Sequence, residues 1–296
     1  MSAAAPAPEA VGVIGGGRMG SGIAHAFLMA GSTVRLVERD AESSGRAREA
    51  VRRALARSAE HGSAAGMTAM AAPDDVLDER FTIATDLDAL AGYGLVIEAV
   101  PEDHGLKHDA LTRAASVLAD DAVLATNTSS MSIDALAAGL ARPQRFLGLH
   151  FFNPVPASAL VEIVRGAATD ESVIARCRGW IDALGKSAVV VRDSPGFASS
   201  RLGVALGLEA IRMLEEGVAS AADIDTAMVR GYRHPLGPLR TTDLVGLEVR
   251  LAIAEQLATT LGARFEPPAL LRRMVAEGRL GRKSGQGFYH WDEEER

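Results

Sequence analysis

Val11-Gly12-Val13-Ile14-Gly15-Gly16-Gly17-Arg18-Met19-Gly20-Ser21-Gly22-Ile23-Ala24 is the stretch on which the reading of this 296-residue chain turns. A short apolar run, Val11 to Ile14, stops at three glycines, and beyond Met19 apolar side chains recur at helical spacing up to Gly31. The spacing predicts strand, tight turn, helix. A second strand, Thr33 to Val37, follows at once and ends in the carboxylate of Glu38. Gly15, Gly17 and Gly20 form the pattern G-x-G-x-x-G, in which the glycines serve the tight turn, the close approach of backbone to a pyrophosphate, and the packing of helix on strand. Arg18 and Met19 lie inside the motif and count with it as cofactor-binding positions. The helix N-terminus presents unpaired N–H groups and partial positive charge to phosphates. Glu38 stands about 20 residues on, where an acid holds the adenosine ribose hydroxyls and repels a 2′-phosphate, which favours NAD over NADP. Arg39 follows it and softens that repulsion.

A chain of this length accommodates two domains, and 48% hydrophobic residues supply a sizeable core. The net charge of −7 argues against a nucleic-acid binder, which needs a basic surface. A lone cysteine, Cys177, excludes an intramolecular disulfide and reads as structural. Residues 1–10 lack the basic start and apolar core of a signal peptide and read as a disordered leader, and no apolar run approaches the roughly 20 residues that span a bilayer. The expected location is the cytoplasm, with no membrane partner.

Onward from Glu38, Ala41 to Ala59 suits a long exposed helix on which Arg46, Arg53 and Arg57 fall within about 40° of one another. Such a face fits a polyanionic ligand, or equally a solvated surface paired with Glu49 and Glu60. His61 to Ala72 reads as a flexible turn. Strands are expected at Phe81 to Ala84, Leu95 to Val100, Ala122 to Thr126 and Val189 to Val191, with helices at about Asp103 to Leu118 and Met131 to Ala138. The alternation implies an α/β fold, a Rossmann-like, largely parallel sheet with helices on both faces and ligands outside the carboxyl ends of its strands. That rule singles out Glu102, Asn127, Thr128, Ser129 and Ser130 as pocket residues.

Phe146 to His150 and Leu160 to Val164 are two apolar runs about Pro156, and Glu162 lies among branched aliphatics, a costly place for an unpartnered carboxylate. If they pair as a hairpin, His150 and Glu162 fall opposite one another with Cβ atoms roughly 5 Å apart. An imidazole oriented by a buried acid is an arrangement for proton transfer. Asp193-Ser194-Pro195-Gly196 reads as a helix start, followed by a long apolar helix from Phe197 to Glu216 and further helices at Ala221 to Val229, Asp243 to Leu261 and Pro268 to Glu277. The switch from alternation to consecutive helices places a domain boundary near Asp193, giving residues 11–192 as the nucleotide domain and 193–296 as an all-helical second domain. Leu202, Val204, Leu206, Leu208 and Ile211 surround much of the long helix, so that one side faces a second subunit or the domain's own core. The basic, glycine-rich tail, Gly278 to Tyr289, is expected to fold over the cleft as an anion contact, and no metal-ligand cluster appears.

With these residues in view the chain resembles the L-3-hydroxyacyl-CoA dehydrogenase family, of the bacterial 3-hydroxybutyryl-CoA dehydrogenase type. The resemblance rests on Gly15 to Ala24, Glu98-Ala99-Val100-Pro101-Glu102, Asn127-Thr128-Ser129-Ser130, Gly148 to Pro156 with its His-Phe-Phe-Asn-Pro core, Asp193 to Phe197, Asp223-Ile224-Asp225 and Gly281 to Tyr289. It implies NAD-linked oxidation at C3 of a 3-hydroxyacyl-CoA by a homodimer whose second domain contributes to the substrate cleft and to dimerisation. In that likeness His150 is the general base, Glu162 orients it and Ser129 binds substrate. Glu102, Asn127 and Lys107 belong near the cofactor, and Arg46, Arg53 and Arg57 approach CoA. One departure stands out: the family carries asparagine in Gly-Phe-x-x-Asn-Arg, and this chain has Ser200, a shorter hydrogen-bonding group in the active site. A dehydrogenase of free hydroxy acids, and a catalytically weak NAD-binding regulatory protein, remain the alternatives.

Overall fold

The computed structural model describes residues 6–60, 62 and 72–292. The turn expected over 61–72 lies outside the described residues apart from Gly62 and Ala72. The chain divides into two compact units, one through Asp193 and one from Ser194.

In the first unit the elements run β1 (Ala10–Ile14), α1 (Arg18–Met29), β2 (Thr33–Val37), α2 (Ala41–Glu60), α3 (Pro73–Arg80), β3 (Phe81–Ala84), β4 (Leu95–Glu98), α4 (His104–Val117), β5 (Val123–Thr126), α5 (Ile133–Ala137), β6 (Phe146–Phe151), β7 (Leu160–Arg165), α6 (Glu171–Ala183) and β8 (Ser187–Arg192). The strands form one sheet in the order β3-β2-β1-β4-β5-β6-β7-β8. Every pairing is parallel except β6 with β7. β4 and β5 are buried along their whole length, as strands covered on both faces must be, and so read as apolar runs up to the polar residues that end them, Glu98 and Thr126. Val13, Ile23, Phe27, Leu36, Ile97 and Leu149 belong to the continuous core beneath the helices. The carboxyl ends of β1, β4, β5 and β6 share one edge of the sheet, and the order reverses between β1 and β4, where an open α/β sheet binds its ligands.

Three expectations in this unit are corrected. Pro8 and Glu9 are tied into the sheet edge, their carbonyls accepting from the Ser32 hydroxyl at 2.6 Å and the Thr33 N–H at 2.8 Å, and Ala10 already belongs to β1, so a leader does not extend to residue 10. β4 stops at Glu98, because that carboxylate turns back to accept the Val100 N–H at 2.7 Å. Asp193 does not open the next helix; its Oδ2 accepts from the Ser132 hydroxyl and the Asp134 N–H, capping α5.

The second unit contains α7 (Ser199–Glu215), α8 (Ala221–Thr226), α9 (Pro238–Val245), α10 (Leu247–Leu261) and α11 (Ala269–Ala276). Gly196 and Phe197 take φ of 73° and 49°, so α7 cannot begin before Ser199. Gly246, at φ 102°, splits the single helix expected over 243–261 into α9 and α10. Val204, Leu208 and Ile211 of α7 join Leu239, Leu257 and Leu271 in this unit's core. The basic tail closes on Asp243, whose carboxylate accepts the Phe288 and Tyr289 N–H groups and the Trp291 indole N–H, each at 2.9 Å. Burial pushes the Asp243 carboxyl up, and those three donors oppose the rise.

Candidate active site

The glycine turn is built as its spacing requires. Gly15 takes φ 91°, a left-handed conformation that side chains disfavour, and a Cβ on Gly20 would lie 1.8 Å from the Gly15 carbonyl oxygen. Gly17 caps α1 without a side-chain hydrogen bond, and α1 has no acid in its first turn, so the helix terminus at Arg18, Met19 and Gly20 remains a donor surface for phosphate. A Cβ on Gly17 would meet nothing within 4 Å, which leaves room for a ligand there. Glu38 closes the other side: its Oε1 accepts the Gly16 N–H at 2.7 Å and its Oε2 the Arg39 N–H at 3.0 Å, which fixes the carboxylate beside the turn. The Arg39 guanidinium pairs with Asp40 at 3.1 Å. An open helix terminus, a glycine cradle and a fixed carboxylate fit a dinucleotide with an unphosphorylated ribose.

At the same sheet edge, β6 and β7 pair with His150 directly opposite Glu162. His150 is 5% exposed and Glu162 1%, and Nδ1 lies 2.8 Å from Glu162 Oε2. An ionised carboxylate only accepts, so Nδ1 carries the hydrogen and the ring's lone pair resides on Nε2. The Phe152 ring packs against the imidazole with 4.3 Å between centroids. Asn127, at the end of β5, accepts the Phe151 N–H on its Oδ1 at 2.9 Å, which ties β5 to β6 one residue beyond His150.

Glu102 gathers the loop after β5. Its Oε1 accepts from the Thr128 hydroxyl, from the Ser129 N–H at 2.9 Å and from the Ser130 hydroxyl at 3.0 Å, with the Ser129 hydroxyl at 3.4 Å. Burial pushes the Glu102 carboxyl up, but the Lys107 ammonium and these donors outweigh it and hold the group below the ordinary carboxylate value. Lys107, expected at the cofactor, is fully buried, and its ammonium is directed to Glu98 Oε1 at 2.8 Å, the Val100 carbonyl at 3.2 Å and Glu102 Oε2 at 3.3 Å. Two hydrogen bonds and an ion pair hold the ammonium inside the fold, and its contact with the loop after β5 runs by way of Glu102. In the sequence Glu98 stood only as part of a motif and was given no role, although its signal, a carboxylate among aliphatics, is the one that drew attention to Glu162.

The arginines of α2 are outward, Arg46 paired along its own helix with Glu42 and Ser43 and Arg53 with Glu49 at 3.7 Å; Arg57, in the last turn, is exposed. Ser200 belongs to the second unit, half-buried in the first turn of α7.

A sheet of this order, with a phosphate-ready glycine turn and a sequestered histidine–carboxylate pair at its carboxyl edge, defines a nicotinamide-dependent dehydrogenase, an oxidoreductase acting on an alcohol carbon. The chain belongs to the 3-hydroxyacyl-CoA dehydrogenase family: residues 10–194 match the model described as 3-hydroxyacyl-CoA dehydrogenase, NAD binding domain, and residues 196–291 that described as 3-hydroxyacyl-CoA dehydrogenase, C-terminal domain. It is 45% identical to a 3-hydroxybutyryl-CoA dehydrogenase of Mycobacterium tuberculosis, over 95% of this chain and 98% of that one. Against the human mitochondrial hydroxyacyl-coenzyme A dehydrogenase the identity is 36%, over 95% and 90% of the two chains. The crystal structure of (S)-3-hydroxybutyryl-CoA dehydrogenase PaaH1 from Ralstonia eutropha superposes with a TM-score of 0.89 at 37% identity, covering 97% of this chain and all of that one.

Proposed function

We propose that this enzyme interconverts short-chain (S)-3-hydroxyacyl-CoA esters, 3-hydroxybutyryl-CoA foremost, and their 3-keto counterparts, with His150 as the group that moves the proton. The observation that carries the reading is the 2.8 Å contact of His150 Nδ1 with a buried Glu162, which commits Nε2 to the role of base. In the oxidative direction Nε2 takes the proton of the C3 hydroxyl while the C3–H bond breaks and the carbonyl forms. Bound NAD supplies the acceptor for the departing hydride. Glu162 stabilises the imidazolium that results and holds its tautomer. Ser129, set by its bonds to Glu102, hydrogen-bonds the substrate. Glu38 selects NAD over NADP. Arg46, Arg53 and Arg57 exchange intrahelical partners for CoA phosphates, whose denser charge competes well with surface carboxylates that add little stability.

The decisive assay follows NADH oxidation on adding acetoacetyl-CoA. Turnover that falls at least about 100-fold in His150→Ala supports the reading. No CoA-dependent turnover with either nicotinamide cofactor overturns it, and comparison with free acetoacetate separates a CoA-dependent enzyme from one acting on free acids.

A homodimer formed through the second unit is part of the same proposal. Leu202 of α7 is 71% exposed, with Val245 and Val249 also exposed, and the buried Arg250 Nε has no partner among the described residues. Leu202→Arg is expected to halve the mass read by light scattering. No helix among the described residues is long and apolar enough to cross a membrane, and a cytoplasmic location without nucleic-acid partners completes the proposal.

A further inference from the structure

Glu98 ends β4 in register with Ile14 of β1 and Thr126 of β5, and its side chain is wholly buried. A carboxylate there costs several kcal/mol unless donors converge on it. They do: the Val100 N–H at 2.7 Å and the Lys107 ammonium at 2.8 Å reach Oε1, and the Thr126 hydroxyl reaches Oε2 at 2.6 Å. Lys107 is itself in the first turn of α4, where the helix dipole disfavours a cation, so its position depends on carboxylates. Its ammonium joins two of unlike standing. Glu98 is locked into the sheet, whereas Glu102 lies at the rim and holds the Ser129 N–H and the Thr128 and Ser130 hydroxyls. Aliphatic side chains of similar volume would join β4, β5 and α4 at least as well, so stability alone does not account for this buried pair.

We propose that Glu98 is a positioning residue: through Lys107 it fixes Glu102, and Glu102 in turn sets the orientation of the Ser129 turn that receives the acyl-CoA substrate. The inference rests on the assignment of Ser129 as a substrate contact. An interaction of that kind acts alike on bound substrate and transition state, so its loss appears in KM and spares kcat.

The test compares Glu98→Gln, Lys107→Met and the double variant with the wild type, measuring KM and kcat for acetoacetyl-CoA and the thermal midpoint. Wild-type turnover is read first: its absence refutes the dehydrogenase assignment and this proposal together, and its presence leaves the variants to judge Glu98 alone. Glu98→Gln is expected to raise KM about 10-fold or more with kcat within about 3-fold, and to lower the midpoint by leaving Lys107 short of a counter-charge. In the double variant, which leaves no buried ammonium short of a counter-charge and leaves Glu102 to its hydrogen-bond donors, the midpoint recovers while KM stays raised, because Glu102 still lacks its anchor. If Glu98→Gln does not fold, the double variant carries the test by that same raised KM. A wild-type KM in Glu98→Gln, a KM that recovers together with the midpoint, or a double variant that fails to fold would assign the pair to the fold and overturn the proposal.

Discussion

Replacing Glu162 by glutamine removes one charge from behind the imidazole and keeps the shape of the side chain, so the consequence can be worked from the geometry. With Nδ1 and Oε2 2.8 Å apart, the charge centres of imidazolium and carboxylate are roughly 4 Å apart, and unit charges at that separation attract by about 4 kcal/mol at an effective dielectric constant of 20. A neutral imidazole gains little of this; an imidazolium formed as the proton is taken gains it in full. A glutamine carbonyl oxygen still accepts the Nδ1 hydrogen and recovers part of the loss, which leaves about 2–4 kcal/mol, or roughly 30- to 1000-fold in kcat. KM should hardly change, since a side chain 1% exposed behind His150 has no surface with which to bind substrate. The assay is initial-rate kinetics with acetoacetyl-CoA and NADH for Glu162→Gln, His150→Ala and the double variant. The double variant should be no slower than His150→Ala alone, because Glu162 acts only through the ring. A Glu162→Gln enzyme within about threefold of the wild-type kcat, or a loss confined to KM, would refute the argument that this carboxylate stabilises a protonated His150.

Three further outcomes follow from the same structure. His25 donates or accepts at Ser58 Oγ, 2.9 Å away, and burial, aided by Arg57 and Lys186, pushes its pKa down to about 4. The unfolded chain therefore binds the proton first as pH falls, so stability is full above about pH 6.5 and declines toward pH 4 by up to about 3 kcal/mol; denaturant melts should show a shallower pH slope for His25→Gln, and equal slopes would remove the effect. The Cys177 thiol is buried and pushed up to about 12, so a thiol reagent at pH 8 should label the native protein only as fast as it unfolds, whereas prompt labelling would contradict the burial. Glu38→Ser should lower discrimination between NADH and NADPH by about 10-fold or more, read as the ratio of kcat/KM, and an unchanged ratio would detach Glu38 from cofactor choice.

Most of the first unit was legible in the chain because strands buried on both faces leave continuous apolar runs and the glycine turn has a fixed spacing. Phe81 to Ala84 was read to its last residue, and the opposition of His150 and Glu162 followed from two apolar runs and one turn, since antiparallel register is a local property. Errors gathered where a residue's partner lies far along the chain. Asp193 looked like a cap for the helix that follows it and caps α5 instead, and the closure of the tail on Asp243 left no local signal. The basic face of α2 was visible from periodicity, but its pairing with Glu42 and Glu49 depends on rotamers that periodicity does not carry.

The order of residues alone determined a dinucleotide-type sheet, the glycine turn at its edge and the opposition of His150 to Glu162, because each is encoded by spacing over a few residues or by two adjacent strands. Only the tertiary structure decided that Glu98, Lys107 and Glu102 form one connected set reaching Ser129, and that Asn127 secures the strand bearing His150. The physical reason is that a buried charge is tolerated only with partners, and those partners come from β4, α4 and the loop after β5, elements whose meeting is set by sheet order rather than by proximity in sequence.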